Sequence, residues 1–213
     1  MLTLFPDRFW ISPYVFTVAI ALEEKKLPYE AQEVSLETKA QEAPEYRKAT
    51  LTARVPALAH DGFTVAESSA IVEYLEDAFP APKHARLLPD AVKDRARARQ
   101  VMSWIRSDDT LPIRSERSTH TMFYGTPKEP LSDTAKKAVK KLVDLTEGLL
   151  QGSRSTMFDA WCIADADLAF MLQRLALNGD DLPAKVRAYA DANWARPSVK
   201  TFAARKRPPF VPY

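Results

Sequence analysis

Three short stretches of this 213-residue chain carry side chains able to do chemistry. "FWISPYVF" sets Ser12 directly before Pro13, "ARVPAL" sets Arg54 before Val55-Pro56, and "AESSAI" holds the pair Glu67-Ser68. The Ser12 hydroxyl has three chemical roles open to it. It can cap a helix, a contribution of ~1 kcal/mol. It can attack as a nucleophile, or it can donate a hydrogen bond to the reactive atom of another molecule. Glu67-Ser68 follow a strand-like run and open a helical one, so free backbone N–H groups and a positive helix end fall at one spot, suited to an anion. By itself Val55-Pro56 reads as an ordinary trans strand start, since only ~5–6% of X-Pro bonds are cis.

Other chemistries lack their residues. His60, His84 and His120 lie far apart, and none pairs at metal-ligand spacing with Cys162, so a zinc site is not expected. The five glycines form no phosphate-cradling loop. No Gly-x-Ser-x-Gly elbow and no Cys-x-x-Cys pair occurs. With a single cysteine there is no internal disulfide, which suits a reducing compartment. Thirty basic against 28 acidic residues give a net charge of +2, no basis for a nucleic-acid or polybasic membrane protein. No apolar run reaches the ~18–20 residues of a membrane span, and "MLTLFPDRFW" has no secretory pattern. A hydrophobic fraction of 46% supports a real core. The expectation is a soluble, cytoplasmic protein with no metal.

The elements that must position these residues are legible from periodicity. Leu2–Phe5 reads as a strand. Val15, Val18, Ala19 and Leu22 recur at helical spacing, with Ser12 at the N-cap, Pro13 in the first turn and Lys25, Lys26 and Pro28 at the end. Residues 29–34 read as a second strand, making a parallel strand–helix–strand unit. Residues 37–54 suggest a short or irregular helix around Pro44. Ala57–His60 and Phe63–Ala66 flank Asp61-Gly62, a hairpin signal, and Ile71, Tyr74, Leu75 and Ala78 mark a further helix. The proline-bearing "PAPKHARLLP" reads as a linker over 81–89 between a domain at 1–80 and one at 90–213. The latter shows helical stripes only: Ala98–Ile105, continuing towards Asp109; Val139–Leu150; Leu168–Leu175; Leu182–Ala190; and Val199 with Phe202. The basic end "ARKRPPFVP" reads as a solvated tail or a cover over a neighbour.

The βαβ-α-ββα order with an X-Pro opening the third strand is the thioredoxin-like arrangement, and here the chain resembles the soluble glutathione transferases over nearly its whole length. "SPYVFTVAIALEEKKLPYE" looks like that family's active-site helix, "RVPAL" its X-Pro strand, "AESSAIVEYLEDAF" its Glu-Ser motif and third helix, and "WCIADADLAF" the buried motif of its helical domain. "RARARQVMSWIRSD" and "PIRSER" resemble a bacterial subgroup, the YfcF-type transferases. The resemblance implies an α/β thioredoxin-like domain followed by an all-α domain, and a serine-type enzyme with glutathione as co-substrate and no permanently bound cofactor. Ser12 would donate to the glutathione sulfur and favour the thiolate, the nucleophilic form. Pro56 would be cis, with the Val55 backbone pairing with the glutathione peptide. Arg54 would reach its glycine carboxylate, or else stand solvated. Ser68 would take the γ-glutamyl carboxylate and Glu67 the ammonium.

Trp104, Arg106, Arg114, Arg117, Phe123 and Tyr124 fall where that family builds its second-substrate pocket, although core packing and surface pairing explain such residues equally well. Cys162 and Asp165 match a helix-capping motif in which the first residue is usually Ser or Thr. A thiol makes a weaker cap, and Cys162 reads as buried and structural. The implied reaction is thiolate attack on a small electrophile, with peroxide reduction alongside, in a homodimer. The alternatives are a non-catalytic glutathione-binding or regulatory protein on the same fold, and a glutaredoxin-like oxidoreductase. Serine at position 12 argues against the last, because it cannot form a mixed disulfide.

Overall fold

The computed structural model describes residues 1–125, 129–152 and 154–212. Two compact units emerge, Met1–Leu87 together with the stretch from Thr201 onward, and Leu88–Lys200.

The first unit is built on a four-stranded sheet in the order β2-β1-β3-β4. The strands are β1 (Leu2–Phe5), β2 (Tyr29–Ala31), β3 (Ala57–His60) and β4 (Phe63–Ala66). β1 pairs parallel with β2, Leu2 opposite Tyr29, which requires a crossover, supplied by helix α1 (Pro13–Glu24). β3 runs antiparallel to both β1 and β4. Its turn into β4 uses Asp61 at φ 48° and Gly62 at φ 86°, the positive pair demanded by a two-residue hairpin whose twist matches its strands. β2 is shorter than the run 29–34 suggests: beyond Ala31, Val34 joins only by an isolated bridge to Asp7. Pro44 begins helix α2 (Pro44–Thr50), where its missing N–H costs nothing, after a 3₁₀ turn at Ala40–Glu42. Helix α3 (Ser68–Ala78) packs against α1.

The four-position stripe makes α1 look amphipathic, but every residue from Val15 to Leu22 is buried. The one polar member, Thr17, returns its hydroxyl to the Pro13 carbonyl at 3.1 Å, so no polar face is left. The proline-rich stretch after α3 is not a loose tether. Lys25, 1% exposed, holds it: its ammonium meets Glu76 at 2.9 Å and the carbonyls of Phe79 and Ala85 at 2.8 and 2.9 Å. A buried ammonium must find such partners.

The second unit is helical: α4 (Val92–Trp104), α5 (Leu111–Glu116), α6 (Thr119–Tyr124), α7 (Asp133–Leu149), α8 (Ile163–Ala176) and α9 (Ala184–Trp194). α4 stops at Trp104 instead of continuing towards Asp109, because the chain turns there and the Thr110 hydroxyl bonds the Ile105 carbonyl at 2.8 Å. α5 and α6, of six residues each, are too short to leave a periodic signature; α6 is capped by Ser118 and closed by Gly125 at φ 66°. α8 is the centre of this unit, with all fourteen residues buried, and packs on α9. Its start is fixed by Asp165, whose carboxylate accepts the Cys162 N–H at 2.9 Å, the Met157 N–H at 2.8 Å and the Tyr189 hydroxyl at 2.9 Å. The capping box survives with cysteine at its head. Helix α10 (Pro197–Ala203) closes the described helices.

Of the two sequence readings of the chain end, a solvated tail or a cover over a neighbour, the second answers to the structure, and the end does not stay with the helical domain expected over 90–213. From Thr201 it returns to the first unit, where Phe202 packs edge-on to Trp10 and Phe16 at 6.2 and 5.2 Å and Phe210 lies 5.3 Å from Phe9. These aromatics bury area that a solvated tail would leave exposed.

Candidate active site

The register of the sheet gathers the candidate residues of the first unit. Phe5, Ala57 and Ala66 lie in one row across three neighbouring strands. Ser12 follows Phe5 by a short loop, Val55-Pro56 lead directly into Ala57, and Glu67-Ser68 follow directly from Ala66. All three stretches therefore leave the sheet at the same edge. The N-termini of α1 and α3 open there too, and both turn a positive dipole end towards it.

Each position is fixed by identifiable contacts. Ser12 is the N-cap of α1 in extended conformation, and its Oγ accepts the Val15 N–H at 3.4 Å. That distance lies at the outer limit of a hydrogen bond. The cap also uses only the oxygen's lone pair, so the hydroxyl proton remains able to point elsewhere. The Ser12 N–H bonds Asp7 at 3.2 Å and the Ile11 N–H bonds the same carboxylate at 3.0 Å. Asp7 is fully buried; burial pushes its carboxyl above the usual range, against the pull of these two bonds. Asp7 and Trp10 carry no motif that marks them in the sequence. The available signal was an aspartate after a proline at a strand end, a turn-former whose side chain bonds nearby backbone.

Val55–Pro56 is cis, as is Ala81–Pro82. Before it the chain passes through left-handed Leu51 and Ala53, and Tyr46 steadies the approach by donating its hydroxyl to the Arg54 carbonyl at 2.8 Å. The Arg54 side chain is exposed. Glu67 also lies at positive φ, 67°, uncommon for a residue with a Cβ and a mark of backbone held for a purpose. It is exposed and makes no cap bond, whereas Ser68, 5% exposed, is the first residue of α3. Ser68 thus does not cap α3; Glu67 takes the cap position with its side chain turned away from that task.

The six residues of the second unit have partners inside it. The Trp104 indole N–H bonds Asp109 at 2.8 Å. Arg106 pairs with Asp167 at 2.6 Å, and Arg114 donates to the Ser107 carbonyl at 2.8 Å. Arg117, 2% exposed, grips Asp180 with both arms of its guanidinium, which holds its pKa further up. Phe123 lies 6.4 Å from Phe170, and Tyr124 stacks on His120 at 5.3 Å. Cys162 is buried, and burial followed by the Asp165 carboxylate pushes its thiol far up, away from the reactive thiolate. Among the described residues no group of His, Cys, Asp and Glu fits a metal, and no helix is long and apolar enough to cross a membrane.

Comparison with known proteins gives the family and the fold. Residues 11–78 match the family described as Glutathione S-transferase, N-terminal domain, and residues 91–207 match Glutathione S-transferase, C-terminal domain. A crystal structure of a glutathione transferase homolog from a Burkholderia (BGR1), with bound glutathione, is 39% identical, covers 94% of this chain and 95% of its own, and superposes with a TM-score of 0.78. A maleylacetoacetate isomerase from Methylobacterium extorquens AM1, with bound malonate and GSH, is 27% identical over 94% of this chain and 95% of its own, with a TM-score of 0.71. A probable maleylacetoacetate isomerase 2 of Drosophila melanogaster is 38% identical over 99 residues, 46% of this chain. The match spans less than half of that curated relative's length, 42%.

Proposed function

Because this chain belongs to the glutathione S-transferase family, we propose that its first unit binds glutathione at the sheet edge marked by Phe5, Ala57 and Ala66 and ionises the thiol for attack on a small electrophile. The observation that carries the reading is the common register of that edge. It supports the reading because a hydroxyl, the start of a strand and the N-terminus of α3 fall at one end of the sheet. In this reading Ser68 and the N-terminus of α3 take the γ-glutamyl carboxylate, and Glu67 takes the ammonium. The Val55 backbone pairs with the peptide of glutathione as a short added strand, and exposed Arg54 reaches the glycine carboxylate. Ser12 then stands over the sulfur. A free thiol of pKa ~8.5 is only a few per cent ionised near neutrality, and a donor at the positive end of α1 favours the anion. The electrophile's side of the site is assigned to Trp104, Arg106, Arg114, Arg117, Phe123 and Tyr124. Peroxide reduction, a homodimeric state and a cytoplasmic location belong to the same reading.

The likeness to two maleylacetoacetate isomerases favours a second chemistry at this site. The thiolate would add to an activated double bond, rotation would follow about the resulting single bond, and the thiolate would leave again. Glutathione is regenerated, so assays of conjugate formation alone would overlook it.

Titration calorimetry with glutathione tests the site. Ser68→Ala removes a charge-assisted donor worth ~1.5–3 kcal/mol, and the affinity is expected to fall by about tenfold or more. An unchanged affinity removes Ser68 from the site. No heat of binding to the unaltered protein rejects the reading as a whole.

A further inference from the structure

The loop that presents Ser12 is held from two sides, and one side is the C-terminal stretch of the chain. Trp10 sits in the left-handed region at φ 51°, a conformation that persists in a non-glycine residue only where its surroundings impose it. Its N–H bonds the Asp7 carbonyl at 3.0 Å and its indole N–H bonds Glu33 at 2.8 Å. Its carbonyl accepts two bonds from Arg207, from Nε at 3.3 Å and from Nη2 at 3.2 Å. The Arg205 guanidinium lies 3.7 Å from the centre of its ring. Arg207 is itself anchored at the end of α10, donating to the carbonyls of Phe202, Ala203 and Arg205 at 3.1, 3.0 and 2.9 Å. One planar guanidinium therefore ties the last turn of α10 to the residue two before Ser12, a task that needs the fork geometry of arginine.

We infer that the C-terminal stretch is a clamp on the Ser12 loop, with Arg207 and Arg205 as positioning residues for the thiol chemistry. The inference rests on the reading given under Proposed function. A donor stabilises a thiolate only if held within a fraction of an ångström of its place. Ser12 is held through its own N–H and that of Ile11, both on Asp7, and both depend on the path the chain takes through Trp10. The ionisable groups facing this loop are Asp7, Glu33, Arg205 and Arg207, with Tyr29 beside Arg205 and the Arg8–Glu37 pair on its outer side. Arg207 bears on the loop chiefly by geometry; burial raises the Asp7 carboxyl, and the charge of Arg207 opposes that rise only as the smallest of several causes.

The test compares Arg207→Ala and Arg207→Lys with the unaltered full chain in two measurements. The first is amide hydrogen exchange at Ile11 and Ser12 without ligand. The second is the pH midpoint of thiolate absorbance in the glutathione complex. Arg207→Ala is expected to speed exchange at both amides by about tenfold, the scale of a charge-assisted hydrogen bond, and to raise the thiol midpoint. Affinity for S-methylglutathione, which has no thiol to ionise, should stay unchanged. Arg207→Lys is expected to behave like the alanine variant. If lysine restores both measurements, the effect is one of charge and the clamp is overturned. Unaltered exchange overturns it directly, and faster exchange with an unmoved midpoint reduces Arg207 to a structural brace. Should Arg207→Ala not fold, Arg205→Ala, which removes only the stacking cation, is read the same way with a smaller effect. If the unaltered protein does not bind glutathione, the site reading fails, while the exchange experiment still decides the clamp.

Discussion

Replacing Ser12 by alanine is expected to raise the pH at which bound glutathione ionises by about two units, equivalent to ~2.7 kcal/mol lost from the thiolate form. Conjugation near neutrality should fall by roughly twenty- to thirtyfold, as a thiolate that is the major form becomes a few per cent of the whole, while at high pH, where any thiol ionises, the variant should approach the unaltered protein. The expectation follows from the long 3.4 Å cap to Val15. A bond at that distance contributes little to the helix, so a folding loss of at most ~1 kcal/mol accompanies the change. Two readings separate the roles. A thiolate titration that moves while the thermal midpoint barely shifts marks Ser12 as the sulfur's donor. Equal titrations with a lowered thermal midpoint mark it as a cap and transfer activation to another donor. Ser12→Cys carries the opposite expectation, a gain of thiol–disulfide exchange, because a thiolate at a helix N-terminus can form the mixed disulfide that serine cannot.

The second large effect lies far from any substrate. Asp165→Ala strips one carboxylate from three buried donors, the N–H groups of Met157 and Cys162 and the hydroxyl of Tyr189. A buried donor left without an acceptor costs ~1–3 kcal/mol, so the second unit should lose about 3–5 kcal/mol, a large share of an ordinary domain's stability. Asp165→Asn keeps an acceptor oxygen and should fall between. Urea unfolding followed by far-ultraviolet circular dichroism measures this: a lowered midpoint with an unchanged slope is the expected form. An alanine variant as stable as its parent would mean that these donors reach water and that Asp165 does not organise the start of α8.

The first unit was open to sequence reading where local chemistry and periodicity agree. Ser12-Pro13 announces a helix start, Asp61-Gly62 announces a hairpin, and their products stand at Pro13 and between His60 and Phe63. The common edge of Phe5, Ala57 and Ala66 was less accessible, because strand register depends on partners distant in sequence. Resemblance supplied what local pattern could not, the gathering of Ser12, Val55 and Glu67-Ser68. α1 misled because four apolar positions at helical spacing look the same whether the remaining face is wet or buried. The tail was half legible for a related reason: in sequence Arg205 and Arg207 look no different from Lys206, which is exposed. Arginine lays its planar group on an indole as readily as it faces water, and only the fold shows that Trp10 waits for it.

The fate of Cys162 has a consequence for a protein assigned to handle electrophiles. An enzyme that sharpens one thiol for attack invites its reagents to alkylate every other thiol within reach. Here the chain's single sulfhydryl is 1% exposed and held in its protonated form by burial and by the neighbouring carboxylate. The chain's one thiol is thereby withdrawn from attack on electrophiles. A thiol adduct found after exposure to an electrophile is then expected on the co-substrate and not on Cys162.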